Sequence, residues 1–264
     1  MEAPLEEIEF LARSTNRVEI LQLLATRPHT RGELAAATGA SQATLGRILE
    51  DFAERSWVRR EGGKHVATAT GALVADGIDD LVAVLETEAK LRDVVAYLPT
   101  AELGFDLRRL ADATVTVPSR PRPSAPLQRV LDGMERATTL RAFSHTLNEQ
   151  SLATARERVT AGKQTFEAVL STSAIEALTT DGQLWTQLRA LADHDDAAIR
   201  VSREEVPLSV TVADGTVYLL VRDEGGILRA SIDTDDPVVH EWATERFSDC
   251  WERATPFDPT AFDR

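Results

Sequence analysis

Short or forked hydrogen-bond donors are concentrated in one helical segment of the chain. They are Ser41, Gln42, Thr44 and Arg47. Hydroxyl, amide and guanidinium groups of this kind bond to the edges of nucleic-acid bases and to phosphate oxygens. A cationic group follows them, formed by Arg59, Arg60 and Lys64. Cations so placed neutralise phosphates and add affinity without reading sequence. The two sets together predict binding to DNA rather than covalent chemistry.

The elements that position these side chains follow from the neighbouring residues. Ser41 is a favoured helix N-cap, and Leu45, Leu49 and Phe52 recur at spacings of four and three, as on the buried stripe of a helix. The donors therefore lie on the opposite, outward face of that helix. The polar surface between residues 41 and 55 carries the whole DNA-binding interpretation.

A short helix and a hairpin flank this segment. Thr30 and Glu33 have the spacing of a capping box, and Gly39 stands where the chain must turn sharply into the next helix. Residues 57–68 read as two strands joined at Gly62-Gly63, which is a strong hairpin signal. The order helix, turn, helix, hairpin predicts a winged helix-turn-helix, whose second helix is suited to the major groove.

The segment ATGASQATLGRILEDFAERSWVRREGGKHVATATG resembles the winged helix-turn-helix of the arsenic-repressor-like and multiple-antibiotic-resistance-like regulators. The resemblance implies that the outward donors of the second helix read bases and that the three cations lie on a wing beside the flanking minor groove. The sequence departs from that pattern at Gly46 and Ile48, where a polar or basic residue is common. Winged helices also serve as protein-interaction modules and as passive parts of enzymes, so both alternatives stay open.

Composition sets the wider bounds. The 264 residues suffice for two domains with a substantial core, and no apolar run is long enough to span a bilayer. The first residues are acidic, unlike the basic start of a secretory signal, and the single cysteine, Cys250, forms no internal disulfide. We expect a cytoplasmic protein with no membrane association.

Acidic charge is distributed unevenly. The net charge is −14, but residues 1–70 carry nine Lys/Arg and ten Asp/Glu, whereas residues 71–264 carry twenty and thirty-three. The acidity therefore lies almost wholly outside the predicted DNA-binding segment, where phosphates would not meet it. Only three of the 29 basic residues are lysine. Acidity with scarce lysine favours a salt-loving archaeon, and an acidic protein from a GC-rich bacterium is the alternative.

Three regions are predicted along the chain. Residues 1–70 form the winged helix-turn-helix, with supporting helices at Leu5–Ala12 and Thr15–Thr26. Residues 71–99 form a linker or dimerisation helix, because the apolar pattern of Leu73–Leu98 is amphipathic and Pro99 stops it. Residues 100–264 form an α/β effector or regulatory domain. The fold class is α+β, and a homodimer is expected. The linker helix could pair with its copy in that dimer or lie on its own chain, and the sequence does not separate the two.

The third region alternates between strand and helix patterns after a proline-rich loop at Pro118–Pro126. A β-α-β-α-β order predicts some parallel pairing, and Asp214-Gly215 predicts a hairpin. The chain is predicted to close with a helix over Pro237–Arg253. The pattern as a whole predicts a mixed sheet covered by helices.

Residues 100–256 resemble the effector domain of archaeal winged-helix regulators of the methanogenesis- and filament-regulator type. The resemblance is carried by VPLSVTVADGTVYLLVRDEGGILRASIDTDDPVVHEWATERFSDCWERA. It implies a sequence-specific transcriptional regulator that binds a double-stranded DNA operator, with a second domain suited to sensing a small ligand or a partner. The alternatives are a winged-helix adaptor that does not bind DNA and an enzyme with an accessory winged helix.

Ligand-binding residues are predicted where strands end and helices begin. Ser144 and His145 follow one predicted strand, and Ser171, Thr172 and Ser173 follow the next, directly before a helix whose N-terminus suits an anion. The alternative is that Ser173 is only an N-cap and His145 only a surface side chain.

Catalytic motifs are weak throughout the sequence. His145 is not followed by lysine two residues later, as it is in phospholipase-like sites, and no Walker loop, G-x-G-x-x-G or nucleophile elbow occurs. The five histidines are scattered along the chain. We expect no enzyme activity, no cofactor and no metal.

Overall fold

The computed structural model describes residues 2–204 and 206–262, without the side chains of residues 2 and 3. The chain forms two compact units, Met1–Glu86 and Thr87–Arg264. The first is a winged helix-turn-helix and the second is a mixed sheet covered by helices, so the predicted α+β fold class is confirmed. The unit boundary falls inside a helix at residues 86/87, and the division at 70/71 and 99/100 remains a prediction.

The first unit begins with four helices. They are α1 Glu2–Ala12, α2 Thr15–Thr26, α3 Arg31–Thr38 and α4 Gln42–Glu54. Both halves of the capping box at Thr30 and Glu33 are formed, and Gly39 has a φ of 69°, which confirms the sharp turn. Leu45, Leu49 and Phe52 are buried as predicted. The core thus fixes which face of α4 points outward.

The wing consists of β1 Val58–Glu61 and β2 Lys64–Ala67, paired antiparallel. Gly62 and Gly63 have φ values of 51° and 84°, the two positive angles that a tight hairpin turn needs. A further bridge joins β2 to the segment before α3, because the backbone amides and carbonyls of His29 and His65 bond to each other at 2.9 and 2.7 Å. This bridge was not predicted from the sequence.

A long helix, α5 Ala69–Leu91, follows the wing. It ends before the predicted Leu98. A 3-10 turn at Val95–Tyr97 comes between the helix and Pro99, and Leu91, Val94 and Leu98 are all buried in the core of the second unit. The apolar residues are buried where the sequence predicted, but the last of them lie at a tighter 3-10 turn rather than in a continuing α-helix.

The second unit is built on an eight-stranded sheet. Its strands are β3 Thr114–Thr116, β4 Thr139–Ser144, β5 Thr165–Ser171, β6 Ala197–Ser202, β7 Ser209–Ala213, β8 Thr216–Arg222, β9 Leu228–Thr234 and β10 Thr255–Pro256, in the order β10-β6-β5-β4-β7-β8-β9-β3. The β4-β5-β6 pairs are parallel and the others antiparallel, as the alternating pattern predicted. The carboxyl ends of β4, β5 and β6 therefore meet at one edge.

Five helices cover this sheet. They are α6 Ala125–Arg136, α7 Glu149–Thr160, α8 Thr172–Thr179, α9 Gly182–Ala192 and α10 Pro237–Arg253. Two buried clusters result, one including residues of α6 to α9 and the other including residues of α10. Helix α6 begins inside the predicted proline loop, because Pro126 stands in its first turn, where a missing N–H is tolerated. The short strand β10 was not predicted.

Candidate nucleic-acid interface

The outward face of α4 carries most of the predicted donors. Ser41, Gln42 and Arg47 are exposed. Thr44 is half-buried, and its hydroxyl lies 2.9 Å from that of Ser41, while its backbone N–H donates to Ser41 Oγ at 3.1 Å. Ser41 and Thr44 therefore complete the N-cap, and Gln42 and Arg47 are the long side chains that extend from this end of the helix.

Charge changes sign along the exposed face of α4. Its first half holds Gln42 and Arg47, and its second half holds Glu50 and Glu54, which are also exposed. The N-terminal end of a helix also carries the positive end of the helix dipole. The first two turns of α4 are thus the part that an anionic groove would attract, and the last turns would be repelled by phosphates.

Arg31 is a cation that the sequence reasoning missed. It is the first residue of α3, is exposed, and places Nη2 3.9 Å from the position of a β-carbon built on Gly46. The missing side chain at Gly46 leaves the Arg31 guanidinium lying against α4. The position of Arg31, directly after the N-cap Thr30, gave no sign of this contact, which depends on how α3 crosses α4.

The two positions that depart from the resembled families have separate explanations. Ile48 is 3% exposed and packs in the core, so no polar residue there would face outward. Gly46 lies on the outward side, and the Arg31 side chain lies beside the space that a larger side chain at Gly46 would take. A cation is thus supplied to this part of α4 from α3 rather than from α4 itself.

The wing cations are divided between two faces. Arg60 pairs across the ladder with His65 and shares a face with buried Val58. Together with Arg31, Gly46 and Glu50 they line a shallow groove between the wing and α4, and Arg59 also contributes to its lining. Alternation along the strand places Arg59 and Lys64 on the other face with Glu61. Arg59 Nη2 lies 2.8 Å from Glu61 Oε1, so the charge of Arg59 is already countered.

The arginines of the groove affect the pKa of His65. Partial burial lowers the pKa of His65, and the nearby guanidinium groups of Arg31 and Arg60 lower it further. Within residues 2–204 and 206–262, Arg31, Arg47, Arg60 and Lys64 form no ion pair. The groove and the start of α4 therefore hold several cations that are not ion-paired, with Glu50 as a carboxylate in the groove lining.

The predicted ligand residues of the second unit lie together at the carboxyl ends of β4 and β5. Ser144 pairs with Leu170 in the ladder, one residue before Ser171. Ser144 Oγ donates to the carbonyl of Thr146 at 2.6 Å and lies 2.6 Å from Ser209 Oγ. His145 is half-buried beside it. The serine hydroxyl therefore closes a turn of its own chain.

The second group is also bonded locally. Ser171, rather than Ser173, is the N-cap of α8, because Ser171 Oγ accepts from the backbone N–H of Ala174 at 3.2 Å. Ser173 Oγ lies 2.9 Å from Ser171 Oγ, and Thr172 Oγ1 donates to the carbonyl of Ser202 at 3.1 Å. Each hydroxyl at this edge has a partner within the fold.

Two kinds of site are absent from the part of the chain that the structure describes. No group of three or more His, Cys, Asp or Glu side chains there is arranged to hold a metal ion. No helix in the same part is both long and apolar enough to cross a membrane.

Two family models match the chain, one in each unit. The model described as the HVO_A0261 N-terminal domain matches residues 5–90, and the model described as the middle domain of the methanogenesis regulatory protein FilR1 matches residues 123–253. A winged helix-turn-helix followed by a regulator-type middle domain defines the class of the protein. The chain is thus similar to archaeal winged-helix transcription regulators in both parts, through an HVO_A0261-type N-terminal domain and a FilR1-type middle domain.

Solved structures give weaker likenesses. The archaeal chromatin protein TrmBL2, described as showing a novel mode of DNA binding, is 14% identical, with a TM-score of 0.42 over 90% of this chain and 92% of that one. Nuc, a phospholipase D family member from Salmonella typhimurium, is 17% identical, with a TM-score of 0.44 over 55% of this chain and 98% of that one. Scores of this size do not establish a shared fold. Among curated proteins there is no match.

Proposed function

We propose that this protein is a sequence-specific transcriptional regulator that binds a double-stranded DNA operator through α4. The supporting observation is the exposed pair Gln42 and Arg47 at the positive end of α4, next to Arg31 and Arg60, neither of which has an ion-pair partner among the described residues. Glutamine pairs well with adenine and arginine with guanine in the major groove. The cations of the groove and of the wing would meet the phosphates on either side.

A second part of the proposal is a homodimer. Large apolar side chains are exposed on one side of α5, at Leu73, Leu81, Val82, Val84 and Leu85. At about 100° per residue, this side covers roughly half of the helix circumference. A two-fold axis pairs such a stripe with its own copy, which suits an operator made of two half-sites. The stripe supports α5 as the dimer contact.

The third part of the proposal concerns how the DNA affinity is regulated. The second unit would change the DNA affinity on binding a small ligand or a partner, which requires different affinities for two states of the regulator.

The proposal places the protein in the cytoplasm, with the DNA. Its charge of −14 and its three lysines support a high-salt interior. Chemical unfolding should then show a free energy that rises with potassium chloride; a fall would contradict the halophile assignment.

Binding to a random DNA library tests the first part. Selection with the full-length chain should return a recurrent motif, and Arg47→Ala should weaken binding to it by about 10- to 100-fold, the usual value of a bidentate base contact. Arg156→Ala, which removes an exposed arginine from α7, is the matched control and should bind like the parent. If no motif is recovered and Arg47→Ala has no effect, the adaptor alternative gains.

Sedimentation velocity tests the dimer. Leu85→Glu places a charge in the centre of the apolar side of α5 and should shift the protein towards monomer. Ala83→Glu introduces the same charge about 160° away around the helix and should leave the dimer intact. Equal behaviour of the two variants would remove α5 from the interface.

A further inference from the structure

A cleft beneath α10 is the part of the second unit that none of the features above uses. It lies on the face of the sheet that α10 covers and opens between α10, the β6-β7 connection and the turns around Pro99. Its enclosed space measures about 40 Å³, and the rest of the cleft is open to solvent. The cleft is therefore mostly open, with enclosed room for only a small apolar group.

The floor of the cleft is apolar and fixed. Phe143, Val206 and Leu208 line it and are each at most 5% exposed. Trp242 forms one side and packs edge-on against Phe105, with ring centroids 5.0 Å apart. A β-carbon on Gly104 would lie 2.6 Å from Trp242 Cδ1, so only glycine allows the indole to sit there. The apolar part is thus formed before any ligand arrives.

Two arginines stand at the mouth, and neither is hydrogen-bonded to its carboxylate partner. Arg246 Nη2 lies 3.7 Å from Glu102 Oε2, and Arg253 Nη1 lies 3.7 Å from Glu204 Oε2. These distances are beyond those of charge-assisted hydrogen bonds, which lie near 2.8 Å. The donors of both guanidinium groups are therefore held near the cleft by charge attraction alone and can bond to an incoming anion.

The thiol of Cys250 lies within the electrostatic influence of the same two arginines. It lines the cleft and is half-buried. Burial raises the pKa of its thiol, the charges of Arg246 and Arg253 oppose that rise, and the carboxylates of Asp249 and Glu204 add to it. Both guanidinium groups thus act electrostatically at one point in the lining. Because Cys250 is the only cysteine of the chain, it also reports on the cleft without interference.

We infer that this cleft binds a small monocarboxylate with a compact apolar body, of the size of hexanoate or benzoate. The apolar body lies on Phe143, Leu208 and Trp242, and the carboxylate replaces Glu102 as the partner of Arg246, with Arg253 beside it. As the effector site of the regulator, this inference rests on the proposed function. Binding itself does not depend on DNA.

Labelling of Cys250 tests the site in the absence of DNA. The rate of N-ethylmaleimide addition, followed by mass spectrometry, should fall with saturation when hexanoate or benzoate is present. Hexanol, hexylamine and inorganic phosphate should give no comparable protection. Equal protection by hexanol would show an apolar cavity only, and no protection by either carboxylate at millimolar concentration would overturn the site.

Two variants have opposite expected effects. Arg246→Gln should weaken carboxylate binding about tenfold or more, because it removes a charge-assisted partner. Glu102→Gln should strengthen it several-fold, because it removes the competing carboxylate. Arg156→Gln on α7 is the matched control, and calorimetric titration with hexanoate gives a second readout if labelling rates change. Unchanged affinity in Arg246→Gln and Glu102→Gln would overturn the assignment.

A separate measurement distinguishes this inference from the proposed function. The affinity for the selected operator is compared with and without benzoate. A change that Arg246→Gln abolishes supports an effector site. Protection of Cys250 with no effect on DNA affinity would retain the binding site and refute its regulatory role, whereas failure to bind any DNA would refute the proposed function alone.

Discussion

The candidate nucleic-acid interface of the first unit and the strand ends of the second both carry polar side chains, but these side chains differ in whether the fold itself bonds to them. Gln42, Arg47 and Arg31 extend from the fold, and no ion pair neutralises either arginine within the described residues. Ser144 and Ser171 belong to the same class of polar residue at equally suggestive positions, but their hydroxyls close a turn and cap a helix. Polar residues at element ends therefore point to a binding site only once their internal partners are known.

The sharpest way to test this contrast lies within α4 itself. Gln42→Ala should relax the preference at one base position by about 1–3 kcal/mol, since it removes an exposed base-reading amide. Thr44→Val should leave the preference intact, because Thr44 bonds to the N-cap. Competitive binding to single-base operator variants measures both. A larger effect of Thr44→Val would reverse the assignment.

The strand ends of the second unit give the converse experiment. Ser171→Ala should lower the free energy of unfolding by about 1 kcal/mol, the usual loss with a helix N-cap. Ser173→Ala should cost less, because Ser173 is exposed and caps nothing. Urea unfolding followed by circular dichroism gives both values. Wild-type stability in Ser171→Ala, together with a lost ligand response, would restore the predicted site.

The wing allows a comparison between two neighbouring arginines. Arg60→Ala should lower the slope of log affinity against log salt by about 1, since it removes one phosphate contact. Arg59→Ala should lower it less, because Glu61 already pairs with Arg59. Fluorescence anisotropy over a series of salt concentrations measures both slopes. Equal slopes would mean that the Arg59–Glu61 pair opens on DNA.

The smallest expected effect is a pH dependence at His65. Burial, Arg31 and Arg60 lower the pKa of His65 in the free protein, and phosphates that neutralise these arginines would raise it again. Complex formation should then take up a proton, so affinity should increase as pH falls below about 6.5. His65→Gln should flatten that part of the profile. An affinity that falls with acid in the parent protein would contradict the groove as a phosphate contact.

His65 also affects stability, and the sign is fixed by the lowered pKa. The folded protein favours neutral His65, so its contribution is complete above the unfolded pKa of about 6.5. Stability should decrease as pH falls through that value, because the unfolded chain binds the proton more readily. Comparing unfolding of the parent and His65→Gln across this range separates the folding effect from the DNA effect.

Local sequence signals predicted most of the fold. The caps at Thr30 and Ser41, the two-glycine turn and the Asp214-Gly215 hairpin act through neighbouring residues, so their types and spacing suffice. The end of α5 was missed, because the packing of Val94 and Leu98 into the second core decides where the helix stops. Local pattern cannot show that contact.

The residues of the candidate interface also fall into those that local sequence predicted and those that it did not. The exposed face of α4 follows from the helical period, and Gln42 and Arg47 were found by it. Arg31 was missed because its approach to Gly46 depends on the crossing of two helices. The division of the wing cations between two faces follows from strand register, which the turn fixes, but the Arg59–Glu61 pair required coordinates.

The two backbone hydrogen bonds between His29 and His65 limit where the winged helix-turn-helix can accept an insertion that lengthens the wing. They tie the base of the wing to the entry of α3, so a residue inserted on either side of them would shift both elements at once. The glycine pair at the tip has no such tie, and a β-carbon there would meet nothing within 4 Å. An insertion at Gly62-Gly63 could therefore lengthen the wing without moving α4.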